Sequence, residues 1–310
     1  MTDQRVRDLR RILKPQWRKH AEDILLRCAK SQLSANSNPK CIRYVISHGC
    51  FVDWRELNAN PSDFAVRLSL HYIDKVHWTA LYTNPNPLLV DKFFTMGMVG
   101  RPELVYPSLF CNPNPRIVEY ILSLDETVLH TYAKHLSFNT HPDVVNYLIR
   151  NPELISFYSF SANPCPLAVQ YLLDNPGFIK WNCFNQNESD LAVDYLLSHT
   201  NHINVVVFVA NANLKAVHYT IRQVKTNWDE HRYLIPFMCR NKHPRMADFI
   251  VRFVDMEEDG LLGFEHIVAN PGLFLDWTPK IQLLHWWTHD QSFVLYRIPL
   301  ELIRMICDFI

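Results

Sequence analysis

The chain of 310 residues carries 31 basic and 31 acidic side chains, so its formal net charge at pH 7 is zero. This balance offers no overall field that would favour DNA, RNA or an anionic membrane. An apolar fraction of 48% and a charged fraction of 20% are typical of a folded globular chain and exclude an intrinsically disordered one. Only 7 glycines accompany 19 prolines, which favours helices punctuated by proline over a β-rich or glycine-loop nucleotide-binding fold.

The cysteines and the N-terminal sequence bear on the compartment. The 8 cysteines are scattered and form no Cys-x-x-Cys pair. The opening Met-Thr-Asp-Gln-Arg-Val-Arg lacks the apolar region of a secretory signal. The sequence contains no run of 18 apolar residues, so it predicts no membrane span. We therefore expect a reduced intracellular compartment.

Residues 1–32 predict basic N-terminal capping helices. Val6, Leu9, Ile12 and Leu13 form an apolar stripe at helical spacing, and Pro15 interrupts the helix. The basic residues of this leader are Arg5, Arg7, Arg10, Arg11, Lys14, Arg18 and Lys19. Two interpretations are open: a solvated basic side on a capping helix, or an electrostatic contact to an acidic protein or nucleic acid.

Residues 33–277 contain a short repeat whose fixed point is an asparagine. Five of the nine steps between successive copies of this anchor are 24 residues long, and the others are 27, 28, 29 and 30. The anchors are Asn36, Asn60, Asn84, Asn112, Asn139, Asn163, Asn187, Asn211, Asn241 and Asn270. A fixed period of this length decides the fold, because each unit can bury its apolar face only against its neighbours.

A helix is predicted to begin three residues after each anchor, where most copies carry proline and two carry aspartate. The residue before that position is Asn, Ser or His in most copies and is suited to cap the helix. The sixth, eighth and tenth residues after the anchor are apolar in most copies, with tyrosine common at the eighth. We expect these three positions to be buried, and the variable polar seventh position to be solvated or to face a partner.

Another helix is predicted before each anchor, where the sixth and third preceding residues are aromatic or aliphatic. The residue just before the anchor is often alanine, which suggests a close approach of two backbones. The anchor is expected to end this helix in the left-handed conformation that asparagine tolerates. The longer steps are expected to hold loop insertions near residues 96–101, 222–232 and 254–260. Together these patterns predict an all-α solenoid of about ten pairs of short helices, each of roughly 8–10 residues.

Residues 278–310 are predicted to form C-terminal helices that cap the array. Pro299 begins a helix in which Leu302, Ile303, Ile306 and Ile310 share one face. A terminal capping helix is the simplest interpretation of this segment.

The sequence carries no catalytic, nucleotide-binding or zinc motif. The 15 histidines include the close pair His199 and His202, but none has the spacing of a zinc site. His141 and His243 fall at the capping position of the repeat, and the recurrent tyrosines fit its core better than a base-stacking platform. We expect no enzyme activity, no bound metal and no cofactor.

The repeated pattern Φ-x-x-Asn-x-(Asn/Ser)-Pro-x-x-Val-x-Tyr-Leu-Leu resembles the Asn-Pro-rich short-helix repeat proteins of giant (nucleocytoplasmic large) DNA viruses. The resemblance covers about residues 33–270 and implies an origin in a large DNA virus. Two copies depart from the pattern: the one anchored at Asn139 has Ala133 at an otherwise aromatic or aliphatic position, and the one anchored at Asn211 lacks the proline.

The segment Ile298-Pro299-x-Glu301-Leu302-Ile303-x-x-Ile306 resembles the opening helix of an F-box. Poxviral ankyrin proteins carry a similarly truncated F-box at the C-terminus, where the adaptor subunit of cullin-type ubiquitin ligases binds it. The resemblance implies that Pro299, Glu301, Leu302, Ile303, Ile306 and Ile310 contact such a subunit.

The sequence therefore predicts a non-enzymatic scaffold for protein–protein interaction, as a viral structural or minor virion (minor capsid) protein whose partners are other viral structural proteins. One alternative is a substrate adaptor that recruits a ubiquitin ligase through the F-box-like helix. A second alternative is nucleic-acid contact through the basic leader. The expected location is the host cytoplasm or virus factory, with packaging in the virion as a further option.

Overall fold

The computed structural model describes residues 2–13, 30–48, 52–97, 107–253, 270 and 273. Within these ranges the regular secondary structure is helical and contains no β-strand, so the prediction of an all-α protein is confirmed. The helices are short, and most of them alternate before and after an anchor asparagine. We call the helix before each anchor the first helix of a unit and the helix after it the second helix.

Each second helix in the described part of the chain begins three residues after its anchor, as the sequence predicts. These helices are Pro39–Ser47, Asp63–His71, Pro87–Thr95, Pro115–Leu122, Pro142–Arg150, Pro166–Asp174, Asp190–Ser198, Leu214–Thr226 and Pro244–Phe253. Proline occupies the first helical position in six of them, where its missing N–H is not needed.

The predicted capping residues are confirmed by their hydrogen bonds. Their side chains accept from backbone N–H groups of the first helical turn, as at Asn38, Ser62, Asn86, Asn114, His141, Ser189, Asn213 and His243. In the two histidines the acceptor is Nδ1, so the cap explains their place in the repeat.

The first helices are shorter than predicted, with four to six residues each. They are Lys30–Ala35, Trp54–Ala59, Trp78–Thr83, the 3₁₀ helix Pro107–Cys111, Ala133–Leu136, Phe157–Ser161, Trp181–Phe184, Val205–Phe208 and Ile235–Met238. Several follow a 3₁₀ turn, namely Ile73–Lys75, Pro152–Leu154, Pro176–Phe178, Thr200–His202 and Arg232–Leu234. Helices this short are not stable alone, so their order depends on packing between units.

The expected loop insertion at residues 222–232 is helical instead. The second helix Leu214–Thr226 is extended to 13 residues, and the helix Trp228–His231 follows it. The helix Glu126–Thr131 likewise lengthens the step between Asn112 and Asn139. At 96–101 the described residues end with Met96 and with Gly97, which has a φ of 61°. The insertion expected at 254–260 lies outside the described residues.

The core confirms part of the predicted apolar pattern and corrects the rest. The sixth residue after each anchor from Asn36 to Asn241, and the third before it, are buried, as Val169 and Phe160 show. Two positions that the sequence pattern did not single out, the fifth and the ninth after the anchor, are also buried, as at Ala168 and Leu172. The eighth position is half-buried in most units, as at Tyr171, which packs edge-on against Phe160 at 6.0 Å. It is buried at Tyr44, Leu68 and Phe249. The predicted tenth position is half-buried in the described units. The second helix therefore buries a face one residue away from the predicted one.

The anchor asparagines form a ladder of buried hydrogen bonds between units. Asn163 donates through Nδ2 to the carbonyl oxygens of Ser137 at 3.1 Å and Asn139 at 2.8 Å, and its Oδ1 accepts from the N–H of Cys165 at 2.9 Å. The same paired donation to the preceding unit recurs at Asn60, Asn84, Asn112, Asn139, Asn187, Asn211 and Asn241. Each anchor is at most 2% exposed, so these amides are satisfied by protein groups alone.

The predicted left-handed conformation of the anchors is wrong. Asn60 and Asn84 have φ of −70° and −74° with ψ near 118°, which is extended backbone. This geometry lets the side chain reach the preceding unit while the chain turns into the second helix. The alanine before the anchor, where a close approach of two backbones was predicted, is exposed at Ala35 and Ala59 and half-buried at Ala162 and Ala210. The buried neighbour is the residue two before the anchor.

That buried residue supports another set of bonds, here called cap bonds. Its side chain accepts a hydrogen bond from the N–H that precedes the first helix of the following unit. The acceptors are Ser34, Asn58, Ser137, Ser161 and Asn185. Each of these five residues is followed by a 24-residue step, whereas Tyr82, Phe110, Val209 and Cys239 occupy this place before the longer steps.

The N-terminal helix Thr2–Ile12 packs against the second helix Pro39–Ser47. Leu9 is buried, and the hydroxyl of Tyr44 donates to the carbonyl oxygen of Arg5 at 3.2 Å. Further along the chain, second helices contact the second helices of adjacent units and first helices contact first helices. The units are therefore joined both by apolar packing and by the asparagine ladder.

Candidate functional surface

Three large aromatic side chains on neighbouring units point away from the core. Phe138 is 47% exposed, Tyr158 is 68% exposed and Phe178 is 45% exposed. Together with Lys180 they are called the aromatic surface below. They lie just after the first helix Ala133–Leu136, within the next first helix and in the 3₁₀ turn after that. Exposed aromatic side chains of this size, when grouped, are typical of protein interaction sites.

Direct contacts hold Tyr158 and Phe178 of the aromatic surface in place. The ring of Phe178 stacks on the half-buried ring of Phe157, with centroids 4.4 Å apart and planes 10° apart. The ammonium of Lys180 lies 5.5 Å from the ring centroid of Tyr158, a cation–π contact. Because both contacts join consecutive units, these side chains lose little further conformational freedom when a partner binds.

Cap bonds fix the backbone beneath these side chains. The N–H of Ser156 donates to the hydroxyl of Ser137 at 2.9 Å, and the N–H of Lys180 donates to that of Ser161 at 3.0 Å. The surface therefore rests on units whose spacing is set by directional bonds.

One unit further along, polar residues replace Tyr158, Phe178 and Lys180, and alanine replaces Phe138. These residues are, in the same order, Asn182, His202, Asn204 and Ala162. Here the side-chain amide of Asn204 donates a hydrogen bond to Asn182 at 3.1 Å, in place of the cation–π contact between Lys180 and Tyr158 in the unit before. Trp181 is half-buried and stacks on His202 with centroids 3.7 Å apart, so its face is covered. The aromatic surface thus ends near residue 181.

The repeat pattern does not identify the aromatic surface, because such a pattern contains only the positions that recur. Phe138 stands where several other copies have alanine, and Tyr158 stands at a position that is lysine or asparagine in the adjacent units. The sequence signal for this surface is an aromatic residue at a position of the repeat that does not belong to the core.

The polar seventh residue after the anchor was predicted to be solvated or to face a partner. In several units its side chain contacts the next unit instead. Asp91 pairs with Arg116, Asp194 accepts from the ammonium of Lys215 at 2.6 Å, and His218 contacts Arg245. The bond from Asp194 raises the pKa of Lys215. In these three cases the partner is the fourth residue after the next anchor, so the charges link adjacent second helices.

The basic leader is only partly described. Arg7, Arg10 and Arg11 are exposed, and Arg5 is half-buried. Arg7 donates to the Gln4 side chain at 3.0 Å. Arg11 lies 3.8 Å from Asp8. Lys14, Arg18 and Lys19 lie outside the described residues, so contact between the leader and an acidic partner stays a prediction.

The F-box-like residues also lie outside the described part of the chain. These are Pro299, Glu301, Leu302, Ile303, Ile306 and Ile310, and the whole segment 278–310 falls there. Their contact with a ligase subunit stays a prediction.

The titratable groups show no activated nucleophile in the described ranges. Burial raises the pKa of the Cys111 thiol to about 11 and also raises that of Cys183, which disfavours the reactive thiolate. Burial lowers the pKa of His135 and of His243, so both favour the neutral form. Residues 2–13, 30–48, 52–97 and 107–253 hold no group of three or more His, Cys, Asp or Glu side chains placed to bind a metal ion.

The fold and surface define a class: an all-α protein of short helices joined unit to unit by buried asparagines. Comparison with protein families, curated proteins and solved structures found no match. No helix of the described chain is long and apolar enough to cross a membrane.

Proposed function

We propose that the chain is an α-solenoid of about ten units that binds another protein through the aromatic surface. The asparagine ladder supports the solenoid, because every anchor from Asn60 to Asn241 bonds to the unit before it. A stack of this kind grows in one dimension and presents an extended surface for partners.

The single observation that carries the binding role is the exposure of Phe138, Tyr158 and Phe178 on adjacent units. Interface centres are enriched in aromatic residues, and a few such residues contribute most of the binding energy. Burying these rings on a partner removes apolar area from water while their backbone is already ordered.

The test uses the tagged full-length chain expressed in cells where the protein is naturally made. Proteins captured by the wild type are compared with those captured by Tyr158→Glu and Phe138→Glu. Each substitution is expected to reduce partner capture by about tenfold or more, since loss of a central aromatic typically costs at least about 2 kcal/mol. Asn146→Glu, at an exposed position of a second helix, is the matched control and is expected to leave capture unchanged. Equal capture by all four chains would reject the aromatic surface as the binding site.

The same capture experiment separates the biological roles. Recovery of virion proteins, with the chain itself present in purified particles, supports the role of a viral structural or minor virion protein, which is the one we favour. Recovery of a ligase adaptor subunit that is lost in the double variant Leu302→Asp, Ile306→Asp supports the substrate-adaptor role instead.

Nucleic-acid contact through the leader makes a different prediction. Binding to a DNA or RNA duplex should fall steeply with salt, because phosphate contacts release counterions. Replacing Arg7, Arg10 and Arg11 by Gln should then reduce both the affinity and its salt slope. Absent or salt-independent binding removes this alternative.

A further inference from the structure

In seven of the nine steps the described residues show three different ways in which successive units are joined at the place of the cap bond. In the five 24-residue steps a Ser or Asn side chain accepts from the following unit, for example Ser161 from the N–H of Lys180 at 3.0 Å. Such a bond fixes both the length and the direction of the contact. Three of the five bonds are consecutive and join residues 137–204 into one block.

The step from Asn112 to Asn139 replaces the cap bond with a tight ring contact. Phe110 stacks on Tyr132 with centroids 4.4 Å apart and planes 23° apart. The N–H of Tyr132 is bonded within its own helical turn, to the carbonyl oxygen of Val128 at 3.2 Å. This junction lacks the polar bond but is filled by two stacked aromatic side chains.

The step from Asn211 to Asn241, at 30 residues, is the longest. Within the described residues 107–253 it has neither a cap bond nor a stacked ring pair at this place, although Arg245 contacts His218 between the second helices. Val209 occupies the cap-bond position and has no polar group to offer. A small cavity lies here, lined by Val209, Val224, His231 and Leu234 among others. Its free volume is about 10 Å³, close to the minimum for one water molecule, and its lining is mostly apolar. Side chains around such a void lose dispersion contacts on that side.

We propose that the array bends at this 211–241 unit, with the asparagine ladder as the pivot. Asn241 keeps both bonds across the junction, at 2.9 Å to the carbonyl oxygen of Val209 and 2.7 Å to that of Asn211. On the other side, Leu234 faces Val209 across the cavity and is able to slide without breaking a hydrogen bond. Apolar contacts with a void allow the small sliding movements by which packed helices shift.

This inference does not depend on the proposed partner surface. Residues 137–211 form one stiff block, and the bending movement takes place between this block and the residues from 228 onward. Bending there changes the angle between the two parts of the array while the aromatic surface, which lies inside the block, keeps its shape.

Hydrogen–deuterium exchange on the full-length chain tests the proposal. Amides in 228–239 are expected to exchange at least tenfold faster than those in 156–204, because local opening is easiest where packing and bonds are weakest. Val209→Leu and Val224→Ile each add a methyl or methylene group at the cavity and are expected to slow exchange in 228–239 about threefold or more. Val206→Leu, on the half-buried side of the same first helix, is the control and should change neither segment.

A second variant tests the role of the cap bond itself. Ser161→Ala removes the acceptor for Lys180 and is expected to speed exchange near residue 180 about fivefold, as loss of one net hydrogen bond implies. Equal exchange in the two segments of the wild type would overturn the proposal. So would slowing by the cavity variants that is spread evenly over all units, or no effect of Ser161→Ala.

Discussion

Replacing the anchor Asn163 by alanine is the most direct test of the ladder. The substitution removes three hydrogen bonds and leaves two carbonyl oxygens and one N–H without a partner in a site where Asn163 is 2% exposed. A net contribution of roughly 1 kcal/mol per bond gives a loss of about 3 kcal/mol, and the cost of the unsatisfied buried groups makes this a lower bound. That is a large fraction of the roughly 5–15 kcal/mol by which domains are stable.

The assay is urea unfolding of the full-length chain, followed by far-UV circular dichroism. Asn146→Ala is the matched control, since Asn146 is exposed on the second helix Pro142–Arg150; its free energy of unfolding should change by less than about 0.5 kcal/mol. If the loss for Asn163→Ala falls within about 0.5 kcal/mol of the control, the ladder does not hold the units together and the reasoning is refuted.

Asn163→Asp separates the loss of donors from the loss of shape. The carboxylate still accepts from Cys165 but lies against the two carbonyl oxygens that Asn163 now satisfies. Burial and these oxygens should raise the pKa of the new carboxyl in the folded state above its unfolded value. Its destabilising effect should therefore be weakest below about pH 4 and grow as the pH rises through the folded-state pKa. A pH-independent loss would contradict this account.

Three further outcomes follow from named contacts. Ser161→Ala should lower the free energy of unfolding by about 1 kcal/mol in urea titrations, and an unchanged midpoint would mean that its cap bond with Lys180 adds nothing. Phe110→Ser should lower the free energy of unfolding by about 3 kcal/mol or more, because the ring no longer stacks on Tyr132. The new hydroxyl cannot replace this contact, since the N–H of Tyr132 is already bonded. A small loss of stability would show that a cap bond can form there. Cys111 should react slowly with iodoacetamide at pH 8, because its raised pKa keeps the thiol protonated. The stability that the folded state gains by burying the neutral thiol should be present below about pH 9 and be lost as the pH rises towards about 11. A fast reaction in the folded chain would contradict the burial.

The local elements of the fold were predictable from the sequence because they depend on neighbouring residues. Proline at the first helical position and Asn, Ser or His before it specify where each second helix starts, whatever surrounds them. The third position before the anchor and the sixth after it recur as apolar residues and are buried, as Phe160 and Val169 show.

The role of the anchor could not be predicted, because its partners are 24 or more residues away in the chain. Asn is a good helix terminator in isolation, so local reasoning placed it in a left-handed cap. In the structure its two amide hydrogens bond to the preceding unit, while its oxygen accepts from the N–H two residues later, and the backbone at Asn60 is extended. The full extent of the buried face was missed for a related reason: alanine at the fifth position, as in Ala168, is buried but carries little apolar signal.

The candidate surface was also outside the reach of the repeat pattern. A periodic pattern identifies what the units share, whereas a binding site lies where one unit differs from the others. Phe138 and Tyr158 are such differences. The residue two before the anchor carries a second overlooked signal, since Ser or Asn there accompanies a step of 24 residues and a larger or apolar side chain accompanies a longer one.

The geometry of the ladder explains how units of unequal length fit one array. Each anchor from Asn60 to Asn241 donates to the same two carbonyl groups: that of the preceding anchor and that of the residue two before it. Asn270 donates to the carbonyl oxygens of Asn241 and His243 instead. The separations are 24 and 26 residues for Asn163 but 30 and 32 for Asn241, with the same bonds in both. From Asn60 to Asn241, the two carbonyl groups that accept these bonds lie at the preceding anchor and two residues before it. Residues inserted between that anchor and the next one therefore do not change the acceptors. Asparagine suits this role because a short side chain must supply two donors and one acceptor, whereas Asp lacks the donors and Ser has only one.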